Sequence, residues 1–489
     1  MGIYSVPTAA TETIRPLLMT PSTPAPLIAL LLAIVLAAGG SAAARAEGHG
    51  GWNIPAHGVV ALEQAHLDPE YWVARLGQAA DRPWLDPEQI ARQNAELVRL
   101  DETVRDVAAV PRTLRGDDVR DWIRAASARP DGERYDVQGQ ALAAEFFDAL
   151  ERNLALDAVP ETQPTPFGLV VRRADLRAFP DATRVFRERG ETNIDRFQES
   201  ALFPGDAVAV AHASADGEWL FVVSDRYMAW IERDAVAIGD YDTVTGYASA
   251  APSLIVTGAT ARTVFNPERA DVSELQLDMG VRVPLHPDWP ADRAVHGQHP
   301  AFGHVVQLPA RRDDGSLELV PALLPRTAEV AAGPLPLTPA NLIRQSFKFL
   351  GERYGWGHSY NARDCSGFLS EVYRSMGVQI PRNTSRQSVS PALDKTRFTA
   401  ADGRDARMAE VARLQVGDMI FIPGHVMMVI GREDGTTWLI HDTAGINYIK
   451  EGEFVRMPLH GVAVTPLEPL MSSRTESVVD RITSIVRVR

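Results

Sequence analysis

The 489-residue chain contains a single cysteine, Cys365, and so cannot form an intramolecular disulfide. It also lacks any excess of basic charge: the net charge is −14, which makes a polyanion such as nucleic acid a poor partner. Long apolar runs are scarce. The segment Leu27 to Ala38 is too short to span a bilayer comfortably, and small residues follow it up to Ala44-Arg45-Ala46. That pattern predicts a signal peptide over residues 1–46, cleaved after Ala46, with an uncleaved N-terminal anchor as the alternative. No cysteine stands directly after the run, which excludes a lipoprotein. The expectation is therefore an exported protein, periplasmic or at the cell surface, with no stable membrane insertion after signal cleavage. No repeat of the solenoid kind is present. Hydrophobic residues make up 45% and charged residues 23%, as in a folded globular chain, and the length requires several domains.

Residues 47–163 are rich in helical signals and predict a helical N-terminal domain. In Leu85-Asp86-Pro87-Glu88-Gln89-Ile90, Asp86 can cap, Pro87 fits the first turn, and Ile90, Leu97 and Val98 form an apolar stripe. From Pro166 short apolar runs separated by Gly, Asp and Pro predict strands, among them Phe167 to Val171, Ala207 to Val210, Trp219 to Val223 and Tyr227 to Ile231. A second set follows at Ser253 to Thr257, Val281 to Leu285 and His304 to Leu308. Two small barrels, 164–240 and 241–325, account for these runs better than one large sheet. Residues 326–337 read as a linker rich in Ala, Gly and Pro. Thr338-Pro339 then opens a helix and a further domain, 338–470. In the C-terminal tail, 471–489, the spacing of Val478, Val479, Ile482, Ile485 and Val486 predicts a helix docked on the protein.

The chemistry concentrates in that last domain. Cys365 lies where a loop runs into the apolar-periodic stretch Phe368, Leu369, Val372, Tyr373 and Met376, so helix-terminal N–H groups would favour its thiolate. An exported chain with one cysteine gains no disulfide from it, and the thiol is the candidate nucleophile. Farther on, Val416 to Gly431 has the form of two short strands around Pro423-Gly424, with His425 opening the second. In Thr437 to Asp442, alternation sends Trp438, Ile440 and Asp442 one way and Leu439 and His441 the other. His425 and His441 can then lie on adjacent strands. In that arrangement His425 holds the thiolate ionised and protonates a leaving amine, His441 orients the imidazole, and the Cys365 N–H contributes to an oxyanion hole. His296, His299 and His304 fall in an irregular loop without an acid or cysteine cluster, so no metal site is assigned and no cofactor is expected.

Four ordered motifs now stand together: Tyr354-Gly355-Trp356-Gly357, Asp364-Cys365-Ser366-Gly367-Phe368, Ile380-Pro381-Arg382-Asn383-Thr384-Ser385-Arg386-Gln387, and Gly424-His425-Val426 followed by His441. Over about 338–467 the chain resembles the NlpC-type, papain-like cysteine peptidases of bacterial cell walls. The upstream segments resemble the subgroup that carries bacterial SH3-like domains. The resemblance implies an α+β fold, a papain-like peptidase domain preceded by two SH3-like barrels and a helical N-terminal segment. It implies Tyr354 beside the oxyanion, and Asp364, Ser366, Asn383, Thr384 and Tyr227 around the substrate. The implied partner is a peptidoglycan stem peptide, cut between γ-D-glutamate and a diamino acid.

Two departures from the family pattern stand out. His358 replaces the second Gly of the aromatic-Gly-Gly motif, which predicts a differently shaped loop. Asn383-Thr384 replaces an Asp-Ser pair, which removes a carboxylate from the place where a free N-terminal ammonium would bind and predicts weaker discrimination for free amines. Acyl transfer or another amidase reaction on the same fold, and a non-catalytic wall-binding protein, remain the alternatives.

Overall fold

The computed structural model describes residues 52–286 and 288–489; the predicted signal segment lies outside the described residues. The first barrel region is one seven-stranded antiparallel sheet. Its order is Gln198–Leu202, Ala174–Arg177, Met228–Glu232, Trp219–Val223, Ala207–Ala213, Phe167–Val170, Val236–Gly239. Leu176, Leu202, Val208, Val222 and Ile231 fill one side of it. Its other side, with Phe179, Phe221 and Trp230, is covered by the helices Gly116–Ala126 and Ala144–Asn153 through Val119, Ile123, Phe147 and Leu150.

The helical segment upstream is thus divided between two neighbours instead of forming a core of its own. Its first half belongs to the C-terminal domain. Trp72 and Val73 of the helix Pro69–Leu76 and Ile90 of Pro87–Leu100 join the core that holds Phe368, Leu369 and Trp438. These helices are short and amphipathic, and a single apolar stripe needs a partner to cover it. Their starts follow the sequence signals. The Asp86 carboxylate accepts from Gln89 N at 2.8 Å, and the Gln89 side chain accepts from Asp86 N at 2.8 Å, a reciprocal cap with Pro87 in the first turn.

Between Ser253 and Ala331 three small sheets share one core. Arg282–Pro284, Ser253–Val256 and Val330–Ala331 form the first, Thr260–Arg262 and Gln276–Asp278 the second, and the hairpin Gly303–Arg311 with Leu317–Pro325 the third. Leu254, Val256, Leu277, Val283, Val306 and Leu324 meet inside.

The C-terminal domain lays the helix Cys365–Arg374 on a six-stranded antiparallel sheet. The order is Asp394–Arg397, Ser484–Arg487, Met419–Ile422, His425–Glu433, Thr436–Lys450, Glu453–Pro466. Pro423 and Gly424 make the tight turn, with Ile422 opposite His425 and Gly424 at φ +79. The tail differs from its predicted helix. Only Val479–Arg481 turns helically, and Ser484–Arg487 inserts as a strand between Asp394–Arg397 and Met419–Ile422. A β-branched run such as Ile485-Val486, buried on both faces, favours pairing with the otherwise open edge of Met419–Ile422. Among the described residues no helix is long and apolar enough to cross a membrane.

Candidate active site

Cys365 is the first residue of its helix because Asp364 caps it. One Asp364 oxygen accepts from Gly367 N at 2.7 Å, while the N–H groups of Cys365 and Ser366 have no partner within the helix. The sulfur lies 3.6 Å from Thr384 Oγ1, and the backbone N–H of Val426, the residue after His425, is near enough to favour the thiolate slightly. It is only 5% exposed. Burial, with the neighbouring Asp364 carboxylate adding to it, pushes the thiol up to about 12. The helix start alone predicts a favoured thiolate; desolvation outweighs it here, and the proton rests on sulfur.

His425 opens its strand at a half-buried position, and burial lowers its imidazole to about 4. Its Nε2 is 2.8 Å from His441 Nδ1, and His441 Nε2 is 3.0 Å from Thr465 Oγ1. Leu439 beside His441 belongs to the core layer of Ile420 and Met427, whereas Trp438 and Ile440 face the Cys365 helix. The alternation expected for this strand is therefore present, and Asp442 falls on the helix side. The hydrogen-bond chain can run in either direction, and the direction a base requires has His425 Nε2–H donating to His441 Nδ1 and His441 Nε2–H donating to Thr465. That assignment leaves His425 Nδ1 as the free basic nitrogen. His441 is 2% exposed, and burial, then His425 beside it, keeps it neutral. Thr465 had no sequence signal, because a lone threonine in a strand reads as β-propensity.

The remaining candidates divide into two groups. Thr384 and Tyr354 lie by the sulfur, and Asn383, next to Thr384 in the chain, leads on to Tyr227. Burial and then the nearby Cys365 raise the Tyr354 phenol. Asn383 precedes the short helix Thr384–Gln387 without capping it through its side chain; its Nδ2 instead reaches the Tyr227 hydroxyl at 3.4 Å. That hydroxyl donates to the carboxylate of Glu199, on the barrel strand Gln198–Leu202. Glu199, whose acid burial raises, was not legible in the sequence, since a glutamate in an alternating strand reads as a solvated face.

Asp364 and Ser366 form the second group, and their side chains point inward. Arg382 binds both Asp364 oxygens, at 3.0 and 2.9 Å, and also Ser366 Oγ at 3.0 Å, His358 Nδ1 at 2.9 Å and Ser200 Oγ of the barrel at 2.9 Å. Burial opposes the charge on Asp364, but Arg382 holds it down at about 2. His358, the departure from glycine, keeps a left-handed backbone at φ +68. Its buried ring is held between Arg382 and Glu371 Oε1, the latter at 2.9 Å. A second buried cluster ties the domains together: Arg363 binds Glu371, Glu352 and Asp278, and Arg173 of the barrel also binds Asp278.

Arg382→Ala leaves Asp364 buried without its cation, so we expect a loss of about 3–5 kcal/mol of stability, read by denaturant unfolding. Unchanged unfolding would show that the Arg382 hub does not hold the helix start to the barrel.

Residues 351–469 match the NlpC/P60 family, and residues 184–232 match the SH3 domain of the SH3b1 type. A γ-D-glutamyl-L-lysine dipeptidyl-peptidase of Bacillus cereus is 26% identical over 49% of this chain and 66% of its own length, just under two thirds. A probable endopeptidase of Corynebacterium glutamicum is 26% identical over 47% of this chain and 90% of that protein. The solved structure of an NlpC/P60 endopeptidase from Photobacterium damselae subsp. piscicida superimposes with a TM-score of 0.65 at 16% identity. It covers 84% of this chain and 94% of the other, and shows a shared fold. Residues 351–469 thus form a domain of the NlpC/P60 family, set behind an SH3 domain at residues 184–232.

Proposed function

We propose that this chain is an exported cysteine peptidase that hydrolyses peptidoglycan stem peptides at the γ-D-glutamyl bond to a diamino acid. The observation that carries the reading is the Cys365 helix start set beside a strand whose His425 is bonded to His441 at 2.8 Å. The names of the relatives from Bacillus cereus and Corynebacterium glutamicum point to the same class of reaction.

In this mechanism the resting pair is a neutral thiol and a neutral imidazole. As sulfur attacks the amide carbonyl, its proton passes to His425 Nδ1, and the carbonyl electron pair moves to oxygen. That oxygen meets the Cys365 N–H and the Tyr354 hydroxyl. His425 then gives its proton to the departing amine. Water, activated by the same imidazole, releases the acyl group from sulfur. His441 keeps the imidazole in the required tautomer.

Glu199 replaces the carboxylate that Asn383 lacks. A buried carboxylate held by Tyr227 and flanked by Asn383, at the barrel end of the line from Cys365 through Thr384, suits the free N-terminal ammonium of a short stem. This replaces the expectation of weak amine discrimination. Glu199→Gln is expected to lower kcat/KM for a free-amine tripeptide by about 10–100-fold while leaving the N-acetylated peptide nearly unaffected. Equal losses on both peptides would remove Glu199 from amine recognition. The activity itself is tested by mass spectrometry of defined muropeptides incubated with the protein.

A further inference from the structure

His358 occupies a left-handed backbone position that favours glycine, at φ +68, and only 3% of it is exposed. A side chain in that position must be held by what it touches. The Arg382 guanidinium donates to His358 Nδ1 at 2.9 Å, and Glu371 Oε1 lies 2.9 Å from Nε2. Arginine can only donate, so Nδ1 is an acceptor, Nε2 carries the proton, and the Glu371 carboxylate accepts that N–H. The tautomer is thereby fixed. Burial, then Arg382, opposes a second proton, and the ring is neutral. On the barrel side, Arg173 donates to the His358 carbonyl at 3.0 Å, and Phe203 meets the ring edge-on with centroids 5.8 Å apart.

The same ring fills the space over the first turn of the nucleophile's helix. The nearest neighbours of a Cβ at Gly367 would be His358 Cε1 at 2.5 Å and Nε2 at 3.0 Å, so the imidazole and the bare glycine fit only together. Asp364, the cap before Cys365, ties the two segments to each other. It accepts from Gly357 N at 3.0 Å, from Gly367 N at 2.7 Å and from Arg382 at 2.9 and 3.0 Å. Upstream, Tyr354 bridges Arg363, and Gly355 N donates to Arg363 O at 2.6 Å. The two oxyanion donors of the mechanism above, the Cys365 N–H and the Tyr354 hydroxyl, thus come from segments that meet at His358.

We propose that His358 is a positioning residue: its imidazole, bridging Arg382 to Glu371 and packed on Gly367, holds the helix start and the Tyr354 segment in the mutual placement that the oxyanion requires. It acts through Arg382, Asp364 and Gly367 and not on the substrate. Taking the ring away leaves an imidazole-sized gap with a donor, Arg382, on one side and an acceptor, Glu371, on the other. Free imidazole has the matching acceptor and N–H and should re-enter it.

This inference rests on the peptidase reading, and the test separates the two. The full chain is compared with His358→Gly, His358→Gln, Gly367→Ala and the double variant His358→Gly/Gly367→Ala on a free-amine tripeptide. Assays run at about pH 8, where imidazole is neutral, and below the unfolding temperature of each protein. His358→Gly should lower kcat about 100-fold with KM within about threefold. Added imidazole should recover about tenfold or more of that loss, whereas 1-methylimidazole, which accepts but has no N–H to donate, should recover none. His358→Gln, whose amide can accept from Arg382 and donate to Glu371, should stay within about tenfold of the wild type. Gly367→Ala displaces the ring and should match the loss of His358→Gly, yet add less than about threefold to it in the double variant. Full kcat in His358→Gly, equal recovery with both imidazoles, or losses that multiply in the double variant would each overturn the proposal. A wild type that cleaves no stem peptide would overturn the peptidase reading instead. The bridge is then read by thermal unfolding of His358→Gly, whose midpoint imidazole should raise by about 1–2 °C and 1-methylimidazole should not; an unmoved midpoint would overturn the bridge as well.

Discussion

Cys365→Ala is expected to bring stem-peptide cleavage down to the uncatalysed background, a loss of about 10⁴-fold or more, with the fold retained. Alanine removes the sulfur and little volume, and the site's other anchors are independent of it. Asp364 still caps through Gly367 N, and Arg382 still binds Asp364. Cys365→Ser should be almost as inactive. The hydroxyl has a far higher pKa than the thiol, and a base that burial has lowered to about 4 takes its proton poorly. Unfolding curves matching the wild type, together with kcat/KM at background, are the expected pair of results. Cleavage by Cys365→Ala at the wild-type rate would end the assignment of the nucleophile.

The two histidines should separate by size of effect. His425→Ala removes the proton carrier for both attack and departure and should cost about 10³–10⁴-fold in kcat/KM. His441→Ala leaves that carrier in place but frees its ring, since the 2.8 Å bond that fixes the tautomer is gone; about 10–100-fold is expected. The pH profile gives a second check. Burial depresses His425, so its free-base form persists as pH falls through 6.5, and kcat/KM should hold until about pH 5 and fall toward pH 4. Loss of activity already centred near pH 6.5, or equal losses for the two variants, would contradict the roles given to them.

The peptidase domain was largely legible in the sequence because its signals are local. A capping Asp before Cys365, a Pro-Gly turn before His425 and strict alternation from Thr437 to Asp442 each fix their own stretch of backbone. What escaped was set by partners distant in the chain. The tail around Ile485 was read by its spacing, yet an open edge at Met419–Ile422 decided its conformation. The helices carrying Trp72 and Val119 looked like parts of one domain, but their apolar stripes are covered by different neighbours. Within the site, Glu199 and Thr465 matter only because Tyr227 and His441 come to them from elsewhere. The protonation of Cys365 escaped for the same reason: a helix start can be read from sequence, whereas the depth of burial that outweighs it cannot.

The central claim is hydrolysis by Cys365 at one defined amide. Mass spectrometry of an L-alanyl-γ-D-glutamyl-diamino acid peptide, incubated with the wild type and with Cys365→Ala, tests it most directly. The account predicts release of the L-alanyl-D-glutamate dipeptide by the wild type alone, with one oxygen from water in its new carboxylate. An intact peptide, or the same products from both proteins, would contradict it.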